Sequence, residues 1–360
     1  MQLISPEWRV ILPDLSDQEI MDISAITSFD LELKLNDTST LAFDLDLVEF
    51  EKRCLAIGAE PQTVLYPQKT EIKVYLGDKA MFGGIISTVD SSYEGVNATL
   101  TCSADSYLHY FSKRFVSKTY VATDRSAIAW DAINTVQTVT NGDLGVTKGS
   151  TVTIFNSDLT CDYRDVKSII QLYTYAQPTT YDFEITPDKV FNTYTRLGSD
   201  RTDVELVYPQ NIQSIKVPRS ADTLFNKIIG LGSGSGIERK QSIQQDTTSQ
   251  INYRVLEKKE SFNSVEIQTT LDHNTQGKLE ESREVLVLPE VVPQAGVIDL
   301  TVVGVGDSIR VKLQGSTYNN DVDAMLRIYG MKIKVDKDNV QDLSLDFYKP
   351  DAGGGLEEGS

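Results

Sequence analysis

The chain has 360 residues, with 34 lysines and arginines against 52 aspartates and glutamates, for a formal net charge of -18. Neutralising phosphates needs clustered cations, so this balance excludes a dedicated nucleic-acid binder. The apolar share, about 46% with glycine included, is that of a globular protein and excludes wholesale disorder.

The two histidines, His109 and His273, lie far apart, and Cys54, Cys102 and Cys161 show neither CxxC nor CxH spacing. A structural zinc site needs about four such ligands close together, and no cofactor is expected. An odd number of dispersed cysteines fits reduced, buried thiols better than a disulfide framework. The greasiest stretch, Val285 to Val305, is broken by Glu290, Pro293 and Asp299, so no spanning helix and no membrane insertion are expected. MQLISPEWRV lacks the basic region and apolar core of a signal peptide.

Period-two alternation comes first in the chain. Phe29, Leu31, Leu33 and Leu35 are separated by Asp30, Glu32 and Lys34; after Asn36-Asp37-Thr38-Ser39 the pattern resumes at Leu41, Phe43, Leu45 and Leu47, separated by Ala42, Asp44 and Asp46. This predicts a β-hairpin with one apolar and one acidic face. Ile72, Val74 and Leu76 lead into a Gly77-Asp78 turn and a return strand through Phe82 to Ile86, and Thr99 to Cys102 supplies another. Residues 1–112 therefore read as antiparallel β in a sandwich or small barrel.

The period then changes. Ile128, Ala132, Ile133 and Val136 keep helical spacing behind Thr123 or Asp124 as cap, and Val166, Ile169, Ile170 and Tyr173 form a second helix with Asp162 as its expected N-cap and Gln177-Pro178 as its stop. Two strands follow around Thr186-Pro187. Strand patterns return at 204–207, 212–217 and 224–231, before GLGSGSG; the polar segment 240–270 has strand character at Tyr253 and Val255, and a short helix fits 275–283 despite Gly277. Alternation closes the chain at Ile309 to Leu313, Leu326 to Ile328, Ile333 to Val335 and Leu343 to Phe347, the last two pairs joined by a turn at Asp336-Lys337-Asp338-Asn339. The last ten residues, DAGGGLEEGS, read as a flexible tail.

No motif carries catalytic chemistry. Gly230 to Gly236 places its glycines off the GxGxxG spacing and precedes no apolar helix, so it reads as a glycine-rich connection or close backbone approach. His109, among aromatics in SYLHYF, reads as the edge of a core, and His273 as a surface residue. With 52 acidic residues some carboxylate pair always falls at glycosidase spacing, so such a pair proves nothing. The sixteen tyrosines read as core or interface packing, with carbohydrate stacking as the alternative.

Charge distribution says more. Between Asp14 and Glu60 stand twelve acidic residues against three basic ones, so half the net charge lies in 47 positions. The choice is between a solvated sheet face and a surface that repels a polyanion.

The order of parts resembles the baseplate hub and tail-tip proteins of tailed bacteriophages, the tail-associated minor tail proteins. The resemblance rests on the strand TLFNKIIGLGSGSG with Asn226, on the ending VVGVGDSIRVKL, LRIYGMKIKVD and LSLDFY, and on FDLELKL, LAFDLDL and TEIKVYLGDKAMFGGII near the start. It implies a mainly β fold with α+β insertions: two tail-tube-like antiparallel β-barrels plus an outer α/β module. The first barrel would be residues 1–112 and the second 206–239 with 298–350, with the outer module formed by 113–205 and 240–297. It also implies a non-enzymatic homotrimer that continues the tail tube, touches distal tube-ring, tip or fibre and tape-measure proteins, and passes DNA without binding it. Such a chain belongs to the virion tail tip, assembled in the host cytoplasm. Asp30, Glu32, Asp44 and Asp46 are the candidate lumen-lining residues. The alternative is a carbohydrate- or receptor-binding, or cell-wall-hydrolysing, tail protein.

Overall fold

A computed structural model describes residues 8–12, 21–22, 26–95, 97–174, 179–217, 221–262, 265, 267–283, 289–314, 322–336 and 341–348. The N-terminal part contains β1 (Trp8–Ile11), β2 (Met21–Asp22), β3 (Ile26–Lys34), β4 (Thr40–Asp46), α1 (Leu47–Ala56), α2 (Pro61–Val64), β5 (Glu71–Leu76), β6 (Lys79–Glu94) and β7 (Asn97–Ser106). The predicted hairpin is β3 and β4, turning through Asn36 at φ 58. Its alternation runs into a helix that the strand reading of 1–112 did not include. Asp46 accepts from the Glu49 N–H at 2.9 Å as an N-cap, and Leu47, Phe50 and Cys54 bury one narrow stripe. Leu47 closes the strand pattern and opens the helical one, which hides the boundary.

The inserted module runs through a 3-10 turn, Tyr107–Lys113, to β8 (Phe115–Asp124), α3 (Arg125–Gln137), β9 (Thr147–Lys148), β10 (Asn156–Asp165), α4 (Val166–Leu172), β11 (Asp182–Ile185) and β12 (Val190–Tyr194). Asp124 caps α3 as expected. The cap of α4 is Asp165 rather than Asp162: its carboxylate accepts from the Ser168 N–H at 2.8 Å, while Asp162 lies within β10, which pairs with β8. Gln177-Pro178 lies outside the described residues. This module has its own core, in which Ile128, Ile133, Val136, Val166, Ile169 and Phe191 are among the buried side chains.

The remaining elements are β13 (Asp200–Tyr208), β14 (Ile212–Lys216), β15 (Lys227–Leu231), β16 (Gln241–Gln245), α5 (Thr247–Tyr253), β17 (Glu257–Ser261), α6 (Gln268–Ser282), β18 (Glu290–Pro293), β19 (Ser308–Leu313), β20 (Val322–Val335) and β21 (Gln341–Tyr348). Two sequence readings change here. Tyr253 ends a helix capped by Asp246 instead of lying in a strand, and α6 begins seven residues before the expected 275. Residues 326–335 form part of one long strand; the turn at 337–339 lies outside the described residues, as does the 351–360 tail.

Among the described residues one sheet of thirteen strands dominates, in the order β14-β18-β21-β20-β3-β4-β7-β6-β5-β1-β2, with β19 branching from β20 and β13 pairing with β19. The N- and C-terminal blocks meet at β3 and β20, paired antiparallel from Phe29 opposite Val335 to Lys34 opposite Gly330. One core lies behind both: Phe29, Leu31, Phe43 and Leu45 from one block share it with Ile328, Met331, Ile333 and Leu345 from the other. Along the hydrogen-bonded order β1 and β3 are five places apart, yet the Trp8 and Phe29 rings meet edge to face at 5.2 Å. The first block is therefore curled over its core. Among the described residues the hydrogen-bonded path itself stays open, from β14 to β2.

The expected grouping of 206–239 with 298–350 needs correction. β13 and β14 join the large sheet, but β15 pairs with β16 and β17, so the glycine-rich segment belongs with 240–283, and β18 belongs to the large sheet. Asn226, fully buried, donates to the Arg254 carbonyl at 2.6 Å and accepts from the Leu256 N–H at 2.9 Å, which ties β15 to the segment leading into β17. A Cβ on Gly230 would stand 2.0 Å from Thr275 Oγ1, so α6 lies directly on β15. The close approach read from GLGSGSG is this contact.

Asp124 illustrates how the insert is held. Its carboxylate accepts from the N–H groups of Ser126, Ala127 and Ile154 and from the Ser126 hydroxyl. Burial alone raises its pKa, but these donors outweigh it and the net shift is downward. A lowered carboxylate adds stability above its unfolded pKa, near 4, that is lost as pH falls through the folded value. Asp124→Ala should cost about 1–2 kcal/mol at pH 7, measured by urea denaturation, with the difference from the parent shrinking below pH 4.

Candidate functional site

Eight consecutive strands, β14-β18-β21-β20-β3-β4-β7-β6, form the run that crosses the joint between the blocks. Strand alternation sends one set of side chains into the core and the other onto an open polar face. Asp30, Glu32, Asp44 and Asp46 stand on that face as the alternation predicts, with Asp30 and Asp46 exposed and the other two half-buried. Register extends the face sideways: Asp90 lies opposite Thr101, Thr101 opposite Asp44, Asp30 opposite Lys334, and Lys334 opposite Asp342.

The face is acidic but laced with cations. Lys334 Nζ is 3.1 Å from Asp30 Oδ2, Lys34 Nζ 3.3 Å from Glu32, and Lys332 Nζ 3.2 Å from Asp346. Its bond to Asp346, reinforced by Glu32 and Glu290, raises the Lys332 pKa. Asp44 accepts from Thr101 Oγ1 at 2.7 Å and Ser28 Oγ at 3.2 Å, and Asp46 caps α1. The hairpin pattern shows the acids and Lys34 but not the two lysines of β20. Their signal was present in MKIKVD, where Lys332 and Lys334 alternate with Ile333 and Val335, but which strand would lie beside β3 was not.

A second cluster fixes the insert against this sheet. Arg327 on β20 and Asp182 on β11, both buried, form an ion pair, and Arg327 also donates to the carbonyls of Leu197 at 2.7 Å and Gly306 at 2.9 Å. Asp182 accepts from Asn36 Nδ2 at 2.7 Å and the Leu197 N–H at 2.7 Å. Asn36 Oδ1 in turn accepts from the Phe183 N–H at 2.9 Å. Nearby, Asp307 accepts from the Ser199 and Gly304 N–H groups at 2.7 and 2.9 Å. The GD of VVGVGD is thus a loop anchor. At the far end of β5 and β6, Lys189 pairs with Glu71, Lys73 with Asp188 at 2.6 Å, and a Cβ on Gly83 would stand 2.6 Å from Pro187 Cα.

The histidines sit apart from both clusters. His109 is half-buried in the 3-10 turn, 3.9 Å from Asp105, and His273 is exposed on α6. All three cysteines are free and buried; burial pushes the Cys102 thiol up to about 12. That leaves its sulfur protonated and unreactive at neutral pH.

No protein-family model and no curated protein matches the chain. Solved structures do. A tail protein from Neisseria meningitidis MC58 aligns over 97% of this chain and 98% of its own, at 11% identity and a TM-score of 0.68. The 43 kDa tail protein of prophage MuSo2 from Shewanella oneidensis aligns over 91% and 95%, at 12% identity and 0.65. Prophage tail protein gp18 from Listeria monocytogenes aligns over 96% and 95%, at 10% identity and 0.55. The chain has the fold of bacteriophage tail proteins, mainly β with large antiparallel sheets, as the sequence resemblance implied.

Removing one partner of a buried, multiply bonded ion pair leaves the other charge stranded. Arg327→Met should therefore destabilise the chain by about 3–5 kcal/mol, measured by chemical denaturation. It should also loosen amide protection at Asn36, Phe183 and Leu197 more than along β4.

Proposed function

We propose that the chain is a structural hub of a bacteriophage tail tip or baseplate: a homotrimer that continues the tail tube, surrounds the DNA path and carries tip or fibre proteins, with no reaction of its own. The β3–β20 ladder carries this reading, because it makes the N- and C-terminal blocks present one continuous polar face. The full-length likeness to tail proteins from three bacteria supports it. In this reading the chain sits in the virion, after assembly in the host cytoplasm, against tube-ring and tape-measure proteins.

The polar face then lines the channel. A binder of DNA needs exposed cations free to meet phosphates; here Lys334, Lys332 and Lys34 are each held beside a carboxylate. Within about one Debye length, roughly 8 Å at physiological salt, the duplex meets a net negative wall. Repulsion at that range keeps the passing polyanion from sticking.

The mass in solution should be about 120 kDa, three times the 40.0 kDa chain, with a threefold ring of six lobes in end-on averages. A species that stays monomeric in sedimentation up to millimolar concentration would remove the hub reading. In assembled particles, replacing Asp30 and Asp44 by lysine should preserve the ring and slow DNA release, followed by dye uptake; unchanged release would remove the lumen role of this face.

A further inference from the structure

The two-stranded ribbon of the insert, β8 paired with β10, has one covered and one open face. Val116, Tyr120 and Cys161 are buried in the insert's core, and on that side Lys118 Nζ and the Tyr120 hydroxyl donate to Asp131 of α3 at 2.7 and 2.8 Å. Alternation turns Phe115, Ser117 and Thr119 to the opposite face, with Thr160 directly across from Thr119, and all four are exposed. We propose that this open face binds a neutral oligosaccharide, its sugar rings stacked on Tyr163 and Phe115 and its hydroxyls bonded to Asp158, Asp162 and the threonines. The site goes beyond the hub reading and does not depend on it.

The first observation is how Tyr163 is displayed. Between the pairs Cys161–Lys118 and Arg164–Val116, β10 has two residues against one of β8, and Tyr163 stands in that bulge at φ 49. Glycine takes this left-handed conformation without steric cost and a tyrosine does not. Yet the ring is 75% exposed, so the strained position holds a side chain that the core does not use. Phe115, 57% exposed, lies at the same end of the ribbon, because its register partner is Asp165. Two aromatic rings therefore mark one end of the face, and a polar track runs away from them.

The second observation is the chemistry of that track. Next to the inward residues Leu159 and Cys161, Asp158 and Asp162 point outward and are exposed. Asp158 Oδ1 accepts from the Ala122 N–H at 2.6 Å, while Asp162 has no hydrogen bond or ion pair among the described residues. Ionised carboxylates only accept, so they match a ligand that brings donors. The Thr119 and Thr160 hydroxyls, 3.5 Å apart, can donate or accept.

The third is what the face lacks. The ribbon's cations, Lys118 and Arg164, are in register with Cys161 and Val116 and so fall on the covered side. A phosphate, a nucleic acid or an anionic lipid would meet only carboxylates. The centre of a protein interface is poor in Asp, Ser and Thr, the residue types that fill this one. A sugar has apolar C–H faces for the rings and hydroxyls around its edge for the track, and from Phe115 to Val121 the strand offers roughly 20 Å for a short chain of them.

The test uses the full chain on an array of neutral oligosaccharides built from hexoses, deoxyhexoses and N-acetylhexosamines, followed by saturation-transfer NMR on those retained. At least one should bind, with an affinity of about 1 mM because an open face covers only one side of a ligand. Tyr163→Ala and Phe115→Ala should each weaken that binding roughly fivefold, and Tyr163→Phe should keep it. Asp162→Ala, which leaves the bulge residue in place, should weaken it as well. Circular dichroism checks that each variant is folded. An array with no retained sugar, or a sugar that binds Tyr163→Ala, Phe115→Ala and Asp162→Ala as well as the parent, overturns the site. So does a peptide of alternating lysine and phenylalanine that binds in a Tyr163-dependent way where every sugar fails, since it makes the face a protein interface. Sedimentation of the same samples reports the trimer separately, so either reading can fail without the other.

Discussion

The architecture depends on a charge that cannot leave. Arg327 is buried beneath the insert, and taking a guanidinium out of water costs several kcal/mol unless its donors find acceptors. It finds three elements at once: Asp182 from β11, Leu197 from the connection to β13, and Gly306 from the loop before β19. Asp182 extends the network to Asn36 at the tip of the β3–β4 turn. The two residues that anchor the insert therefore lie on or beside β20 and β3, the strands that join the two blocks. Guanidinium and carboxylate groups are directional, so the network sets an orientation as well as a contact.

The polar face follows from the same placement. Because β20 lies beside β3, its lysines fall in register with the acids of the first block, and no lysine of the trio is left reaching into solvent alone. Exposed pairs of this kind add little stability, from nothing to about 1 kcal/mol each. Their effect is on surface character: they moderate the field and hold each of these lysines beside a carboxylate.

Much of this was legible from residues alone. FDLELKL and LAFDLDL specify a hairpin and its acidic face because a strand has period two and a register slip would turn every leucine outward. The α3 stripe and Asp124 cap were equally local. What escaped depended on distant partners or shared positions. Leu47 serves two periods at once, so α1 was invisible behind β4. Asp162 and Asp165 are both good caps by composition, and only the β8–β10 ladder decides between them. The assignment of β15 turned on Asn226, whose bond from the Leu256 N–H spans thirty positions, and on Thr275, which packs against Gly230 forty-five positions away. For the candidate face, the acids could be read from one hairpin, whereas Lys332 and Lys334 required knowing that residues three hundred positions away lie alongside.

The joint between the blocks is made from main-chain groups. A backbone ladder asks of its strands only alternation and the absence of proline, and does not register which apolar side chain faces inward or which polar one faces out. A fold organised around such a ladder can exchange nearly all of its sequence while keeping its topology. The overlap with tail proteins at 11–12% identity over more than nine-tenths of the chain is the behaviour such a ladder allows. What evolution must preserve at this joint is a rhythm of residues, and lineages can drift far apart in composition while their parts still share one gauge.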